Sequence, residues 1–344
     1  MIETPNSPAD PPDLDVLSEM LRAVRLTGAV FFSGRLTAPF ALLSPKRYDG
    51  QAPMAQYRHV SIFHFITAGD CTIETASGQR RVLGAGDVVL LPFADAHRFW
   101  KGDAEMALTP DLIFSGPADG IWRLDHGGGG PETRFVCGFI ESSEFLMAPL
   151  FRTLPELLVE QTAGQTVSRL IAATVREAMA LVDAATPGAQ MTLGRMMETL
   201  FVEMLRRHAE TLAPGSTGWF AALKDPIVGR ALQLVHAAPG RHWTTGSLAR
   251  AAGTSRTVLA DRFNALLGRP PIDYVTGWRI QLAADRLRDG RDSIASIAEA
   301  AGYDSDAAFG RAFKRVTGIT PGRWRAGDGD SRPHMPIRFQ EPLV

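Results

Sequence analysis

The feature that most limits how this chain can fold is a pattern written twice. Residues 243–268 read WTTGSLARAAGTSRTVLADRFNALLG, and residues 293–318 read SIASIAEAAGYDSDAAFGRAFKRVTG. Phe263 and Phe313 are fifty positions apart, and so are Gly268 and Gly318. In the first copy Leu248, Ala249 and Ala252 precede Gly253, and Val258, Leu259, Phe263, Leu266 and Leu267 follow it. In the second, Ile294, Ile297, Ala298 and Ala301 precede Gly302, and Phe309, Ala312, Phe313 and Val316 follow. Spacings of three and four place these residues on one face of each helix. A glycine just past a helix permits a left-handed turn that reverses the chain. Ser255 and Ser305 can then accept from the open N–H groups of the next helix. Each copy therefore predicts a helix-turn-helix, over about 244–267 and 293–316. Between them Tyr274, Val275, Trp278, Ile280, Leu282, Ala283 and Leu287 predict an amphipathic rod of about five turns, roughly 25 Å long. Such a rod can hold two recognition helices about one DNA turn, ~34 Å, apart.

The closing segment is more specific. Gly302-Tyr303-Asp304-Ser305, Ala308-Phe309, Arg311-Ala312-Phe313-Lys314-Arg315, Gly318 and Pro321 resemble the signature of the AraC/XylS transcription regulators, and the likeness is contiguous over Trp243–Arg325. The resemblance implies two helix-turn-helix units in successive major grooves of double-stranded DNA. By analogy with that family, Arg256, Thr257, Ala260 and Asp261 face base edges in one groove, and Asp306, Ala307, Gly310 and Arg311 in the next. Ser255, Asn264, Ser305 and Lys314 complete the expected DNA-binding set. Asp261 departs from the basic or polar residue common there; it suits cytosine N4 or weakens its half-site. Arg262 and Arg315 are expected on phosphates or on carboxylates of the chain itself.

Charge agrees with this division. Residues 219–326 hold sixteen Lys and Arg against nine Asp and Glu, a net of +7, while the remainder holds 20 against 28, a net of −8. A basic module beside an acidic one is expected where only the first meets phosphate. A length of 344 residues suits two or three domains. No apolar run is long enough for a membrane helix. Residues 1–15 are rich in Pro and Asp and lack the basic and apolar regions of a signal peptide. Two cysteines, Cys71 and Cys137, do not make a secreted disulfide scaffold. The expectation is a cytoplasmic protein with no membrane partner.

Ahead of the repeat, Leu14–Val24 fits one helix face. Short apolar runs follow at Leu26–Phe32, Val60–Ile66, Cys71–Thr75, Val88–Leu91, Leu108–Ile113 and Arg134–Ile140, separated by Gly, Pro and Asp. Many short strands with turn signals predict a β-sandwich or barrel. Gly86-Asp87 through Pro92 to His97 resembles the second conserved motif of cupins, with Ala94 at a usual glycine and Lys101 at a usual asparagine. The first cupin motif is degraded: His59 and His64 precede Gly69 without an HxH. Leu124–Pro131, followed by Cys137-Gly138, looks like the close of the cupin-type sensor domain of one AraC branch. The implied fold is α+β: a cupin-like jelly roll over 13–145, a helical linker over 146–214 suited to homodimer contact, and an all-α tandem helix-turn-helix domain over 219–326.

Three readings of the jelly roll stand side by side. His59, His64, His97 and Cys137 are ligand types for Zn or another transition metal, although the HxH and the glutamate are missing. Cys71 and Cys137 could form a redox pair if their Cα atoms lie within ~7 Å. The favoured reading is a small organic effector in a pocket lined by Phe63, Phe65, Phe93 and Phe99. The run Gly127–Gly130 lacks the Lys-Ser/Thr of a phosphate loop and reads as a flexible loop. Two helical stripes follow, Val167–Leu181 and Leu193–Leu205, broken at Thr186–Gly188, with a linker at Leu212–Gly218. The whole reads as an effector-responsive transcription regulator without catalytic residues, partnered by RNA polymerase if it activates. A metal-dependent cupin enzyme fused to a DNA-binding module is the alternative.

Overall fold

The computed structural model describes residues 14–23, 26–44, 58–103, 121–143, 154–161, 168–184 and 186–328. The expected run Leu108–Ile113 lies outside them. Contacts divide the chain into two compact units, one built on β-strands and one helical.

Among the described residues ten strands form two sheets: β1 (Thr27–Thr37), β2 (Phe40–Ser44), β3 (Arg58–Ala68), β4 (Asp70–Thr75), β5 (Arg80–Gly84), β6 (Val88–Leu91), β7 (His97–Lys101), β8 (Trp122–Gly127), β9 (Glu132–Ser143) and β10 (Leu158–Glu160). One sheet runs β10-β6-β3-β9-β1-β8 and the other β2-β7-β4-β5. Inward residues of both meet in a single apolar cluster that includes Phe32, Leu36, Phe40, Ile73, Leu83, Phe99, Phe135 and both cysteines. Alternation along each strand explains the selection, since every second side chain faces the partner sheet. Five of these strands (β2, β5, β7, β8 and β10) are not among the expected runs: β5, β7, β8 and β10 hold too few consecutive apolar residues, whereas β2 carries four, Phe40–Leu43, and was missed.

The outer face of the larger sheet is covered by α3 (Ala189–Thr211), with α2 (Arg169–Ala184) beside it. The approach is backbone to backbone. A Cβ on Gly28 would lie 2.5 Å from the Gly194 carbonyl oxygen, and one on Gly194 would lie 2.4 Å from that of Gly28. The two helices match the expected stripes and the break between them. The buried stripe of α2 is Ile171, Thr174, Val175, Ala178 and Val182, while Leu170, expected on it, is exposed. The glycine run, expected to be a flexible loop, is pinned to the end of β1. Gly128 N–H donates to Thr37 O, Gly129 N–H to Thr37 Oγ1, and Gly130 N–H to Ala38 O.

The helical unit holds α4 (Trp219–Lys224), α5 (Val228–Ala237), α6 (Thr245–Ala251), α7 (Arg256–Leu267), α8 (Pro271–Asp289), α9 (Ile294–Ala300), α10 (Asp306–Thr317) and α11 (Pro321–Arg323). It also includes α1 (Val16–Ala23), which the sequence grouped with the jelly roll. Val16 and Met20 are buried, and α1 packs on α5 and α8. Its apolar face found a helical surface rather than a sheet, a choice that periodicity cannot make.

Candidate nucleic-acid interface and sensor core

Both repeats are helix-turn-helix units, closed by the residues that the spacing singled out. Ser255 Oγ accepts from Val258 N–H, and Ser305 Oγ accepts from Ala308 N–H. Gly253 and Gly302 turn the chain at φ 72° and 75°, a region open to glycine at little steric cost. Leu259 and Phe263 of α7 are buried, as are Phe309 and Phe313 of α10. Rod α8 contacts both second helices, and its 19 residues make it about 28 Å long.

The polar faces remain outside. Ser255, Arg256, Thr257, Asp261 and Asn264 are exposed, with Ala260 half-buried beside them. On α10 Ser305, Asp306, Ala307, Arg311 and Lys314 are exposed and Gly310 is half-buried. Val258, expected on the packed face of α7, is 40% exposed and joins the outward surface instead. Arg262 takes the intramolecular option: its Nη1 lies 2.6 Å from Asp225 Oδ2. Asp225 also accepts from the Ile227 and Val228 amides at the start of α5, so this pair ties α7 to α5.

A second device was invisible in sequence. Arg279, on α8, donates from Nε to Pro239 O at 2.7 Å, from Nη2 to Arg241 O at 2.7 Å and from Nη1 to Gly302 O at 3.4 Å. Its guanidinium also sits 5.8 Å from the Tyr303 ring centroid. The segment entering the first unit is thereby clasped to the turn of the second. Beneath lies a buried polar knot. Trp219 Nε1–H donates to Tyr274 Oη, and Tyr274 Oη lies 2.8 Å from His236 Nε2. Burial depresses the His236 pKa to about 3, so its ring is neutral.

In the jelly roll, His64, His97 and Cys137 come together. β3 and β9 pair with His64 opposite Cys137, and His97 reaches over from the second sheet. Cys137 Sγ is 2.7 Å from His64 Nδ1, His64 Nε2 is 2.8 Å from His97 Nε2, and His97 Nδ1 is 2.8 Å from Asp95 O. The carbonyl end sets the direction, because a carbonyl only accepts. His97 therefore carries its proton on Nδ1 and accepts on Nε2. His64 then donates from Nε2, which leaves its Nδ1 bare to accept from the Cys137 thiol. This tautomer assignment follows from the hydrogen-bond network, anchored at the Asp95 carbonyl.

That geometry does not fit the expected metal set. His64 turns its two nitrogens to different partners, so the three side chains do not converge on one point. Among the described residues no group of three or more His, Cys, Asp or Glu is arranged to hold a metal ion. His59 lies in β3, but its side chain is outside the described residues. The expected phenylalanine pocket is not assembled either. Phe63 and Phe65 stack on each other, and Phe63 meets Phe201 of α3, on the sheet face opposite His64. Phe99 is inside, against His64 and Phe135, and Phe93 is half-buried. Strand alternation puts odd and even residues of β3 on opposite faces, so the four rings do not line one cavity. Cys71 and Cys137 share the core and form no disulfide. Burial pushes the Cys71 thiol up to about 12.

Ala94, at the position where cupins usually have glycine, has φ 48°. The left-handed turn is kept although its customary residue is gone.

Comparison with known proteins accords with both halves. The family described as Cupin matches residues 15–210, and the family described as Helix-turn-helix domain matches 248–327. A putative AraC-like transcription regulator of Streptomyces lividans is 33% identical over 279 residues, covering 80% of this chain and 88% of the relative.

The chain belongs to the AraC-like transcription regulators.

A second AraC-like regulator, from Streptomyces antibioticus, is 34% identical over 269 residues, covering 76% of this chain and 86% of its own. The regulator AlkR of Acinetobacter baylyi is 28% identical over 277 residues, covering 77% and 87%. The chain is thus a DNA-binding regulator with a cupin N-terminal domain and a helix-turn-helix domain. No helix among the described residues is long and apolar enough to cross a membrane.

Proposed function

We propose that α7 and α10 enter successive major grooves of one duplex and that the jelly roll senses the signal that governs binding. In this reading Arg256, Thr257, Ala260 and Asp261 meet base edges in one groove, and Asp306, Ala307, Gly310 and Arg311 in the next. Asn264 and Lys314 flank them, and the Ser255 and Ser305 caps open the two helices. The carrying observation is that these residues are exposed, Ala260 and Gly310 half-buried among them, while the opposite faces of the same helices are buried around α8. Arg311→Ala tests it on an operator found by footprinting, with an expected loss of ~1–3 kcal/mol at fixed salt. Equal affinity of variant and parent would remove Arg311 from the base-reading set.

The jelly roll acts by binding or reacting with a signal rather than by turnover; the naming of similar proteins as transcription regulators supports this. RNA polymerase is the further partner where the output is activation. Self-association is assigned to α2 and α3, whose Leu170 and Met191 side chains are exposed. Sedimentation of the Leu170→Glu variant against the parent tests it, and an unchanged dimer would refute it.

A further inference from the structure

Inside the jelly roll, Cys137 is only 4% exposed, yet its sulfur is not in apolar surroundings alone. The thiol faces a bare imidazole nitrogen, and that imidazole is backed by a second one anchored on a carbonyl. A nucleophile, a base in hydrogen-bond contact with it and a third group orienting the base is the arrangement that activates thiols. The three residues come from β3, β7 and β9, so sheet register and not a single loop holds them. Phe99 lies edge-on to both rings, 4.7 Å from His64 and 5.6 Å from His97 between centroids, and all three side chains are buried. Cys71, in the same cluster, serves as an internal control: it is equally buried, and no hydrogen bond to a base is present at it among the described residues.

We propose that Cys137 is a peroxide-reactive sensor thiol, with His64 as its base and His97 as the residue that positions His64. The co-reactant is a small hydroperoxide, since the enclosed position favours an oxidant little larger than water. Cys137 sulfur attacks the terminal oxygen of R–O–O–H. The S–O bond forms as the O–O bond breaks, sulfur loses two electrons, and the peroxide gains them. The thiol proton moves to His64 Nδ1 and from the imidazolium to the departing alkoxide. The products are a cysteine sulfenic acid and an alcohol, or water when R is hydrogen. This chemistry does not depend on DNA contact, so its failure and that of the DNA-binding assignment are separable.

The test uses the full-length folded protein exposed to hydrogen peroxide with a sulfenic-acid trap, and peptide mass spectrometry reads the label. Cys137 should be labelled at least tenfold faster than Cys71. His64→Gln keeps an acceptor but removes the base, and should slow Cys137 labelling about tenfold or more while leaving Cys71 unchanged. Labelling of His97→Gln should fall less than that of His64→Gln. Equal labelling of the two cysteines, an inert Cys137, or an unchanged rate in folded His64→Gln each overturn the proposal. Stoichiometric zinc in the purified protein, with labelling only after chelation, also overturns it and makes the cluster a metal site. If His64→Gln does not fold, the partition between the two cysteines in the parent decides alone.

Discussion

Arg279 clasps the two helix-turn-helix units together, and Arg279→Met isolates its contribution. The substitution keeps most of the stem and removes the guanidinium. Two 2.7 Å hydrogen bonds to Pro239 O and Arg241 O are lost, together with the longer one to Gly302 O. Bonds from a charged donor contribute ~1.5–3 kcal/mol each. Arg279 is only half-buried, so water re-solvates part of the freed carbonyls, and the net expectation falls to ~2–3 kcal/mol for the helical unit. The contact beneath cannot close up to compensate. Gly302 is at φ 75°, and a Cβ there would already lie 2.2 Å from Gly240 O. Without the clasp the two helix-turn-helix units keep their own caps and cores but lose their fixed separation. Each unit should retain its affinity for one half-site, while the advantage of an intact operator over a half-scrambled one should fall about tenfold through reduced effective concentration. Urea melts followed by tryptophan fluorescence give the first quantity, and titrations of the two probes at one salt concentration give the second. A midpoint shift equivalent to less than ~0.5 kcal/mol, together with an unchanged two-site advantage, would show that α8 alone sets the spacing.

Other substitutions and conditions test separate parts of the account. Ser305→Ala removes the cap on α10 and should cost ~1 kcal/mol in the melt of the helical unit, and a loss below ~0.2 kcal/mol would mean that the cap is idle. Ala94→Gly should stabilise the jelly roll by ~0.5–1 kcal/mol, because a left-handed residue at φ 48° gains from losing its Cβ; a lower melting temperature would contradict this. Gly28→Ala should destabilise that unit by ~1–3 kcal/mol as its Cβ meets the Gly194 carbonyl, and a parent-like melting temperature would count against the close approach. His236 gives a pH test. Its folded pKa is depressed to about 3 from an ordinary 6.5, so the unfolded chain binds the extra proton between those values. Its contribution to stability is therefore full above pH 6.5 and declines as pH falls toward 3, with a slope of up to ~1.4 kcal/mol per unit. His208, also depressed by burial, adds in the same direction. Carboxylates held low by partners, such as Glu203 beside Arg206, act only below about their ordinary 4.5. Urea midpoints between pH 5 and 7.5 should fall with acidity in the parent and less so in His236→Gln, and parallel curves would exclude His236 as the source.

The sequence by itself determined what is local and periodic. The two repeats, their serine caps, their turn glycines and the buried Leu259, Phe263, Phe309 and Phe313 are set by neighbours three or four residues apart, so they can be read without knowing the rest of the chain. The break between α2 and α3 and the polar faces of α7 and α10 belong to the same class. Tertiary structure decided whatever depends on register or on a choice of partner surface. His64 and Cys137 are 73 residues apart and meet only because β3 and β9 pair in one register. A shift of one residue would turn one of them to the opposite face. The same alternation split the four phenylalanines between two faces, and a distant helical surface took α1. Arg279 reads as one more charged residue on a rod until folding brings three carbonyls from two other segments within its reach. Short-range spacing is written in the chain; long-range pairing is settled by which buried faces fit, and that depends on all the strands and helices at once.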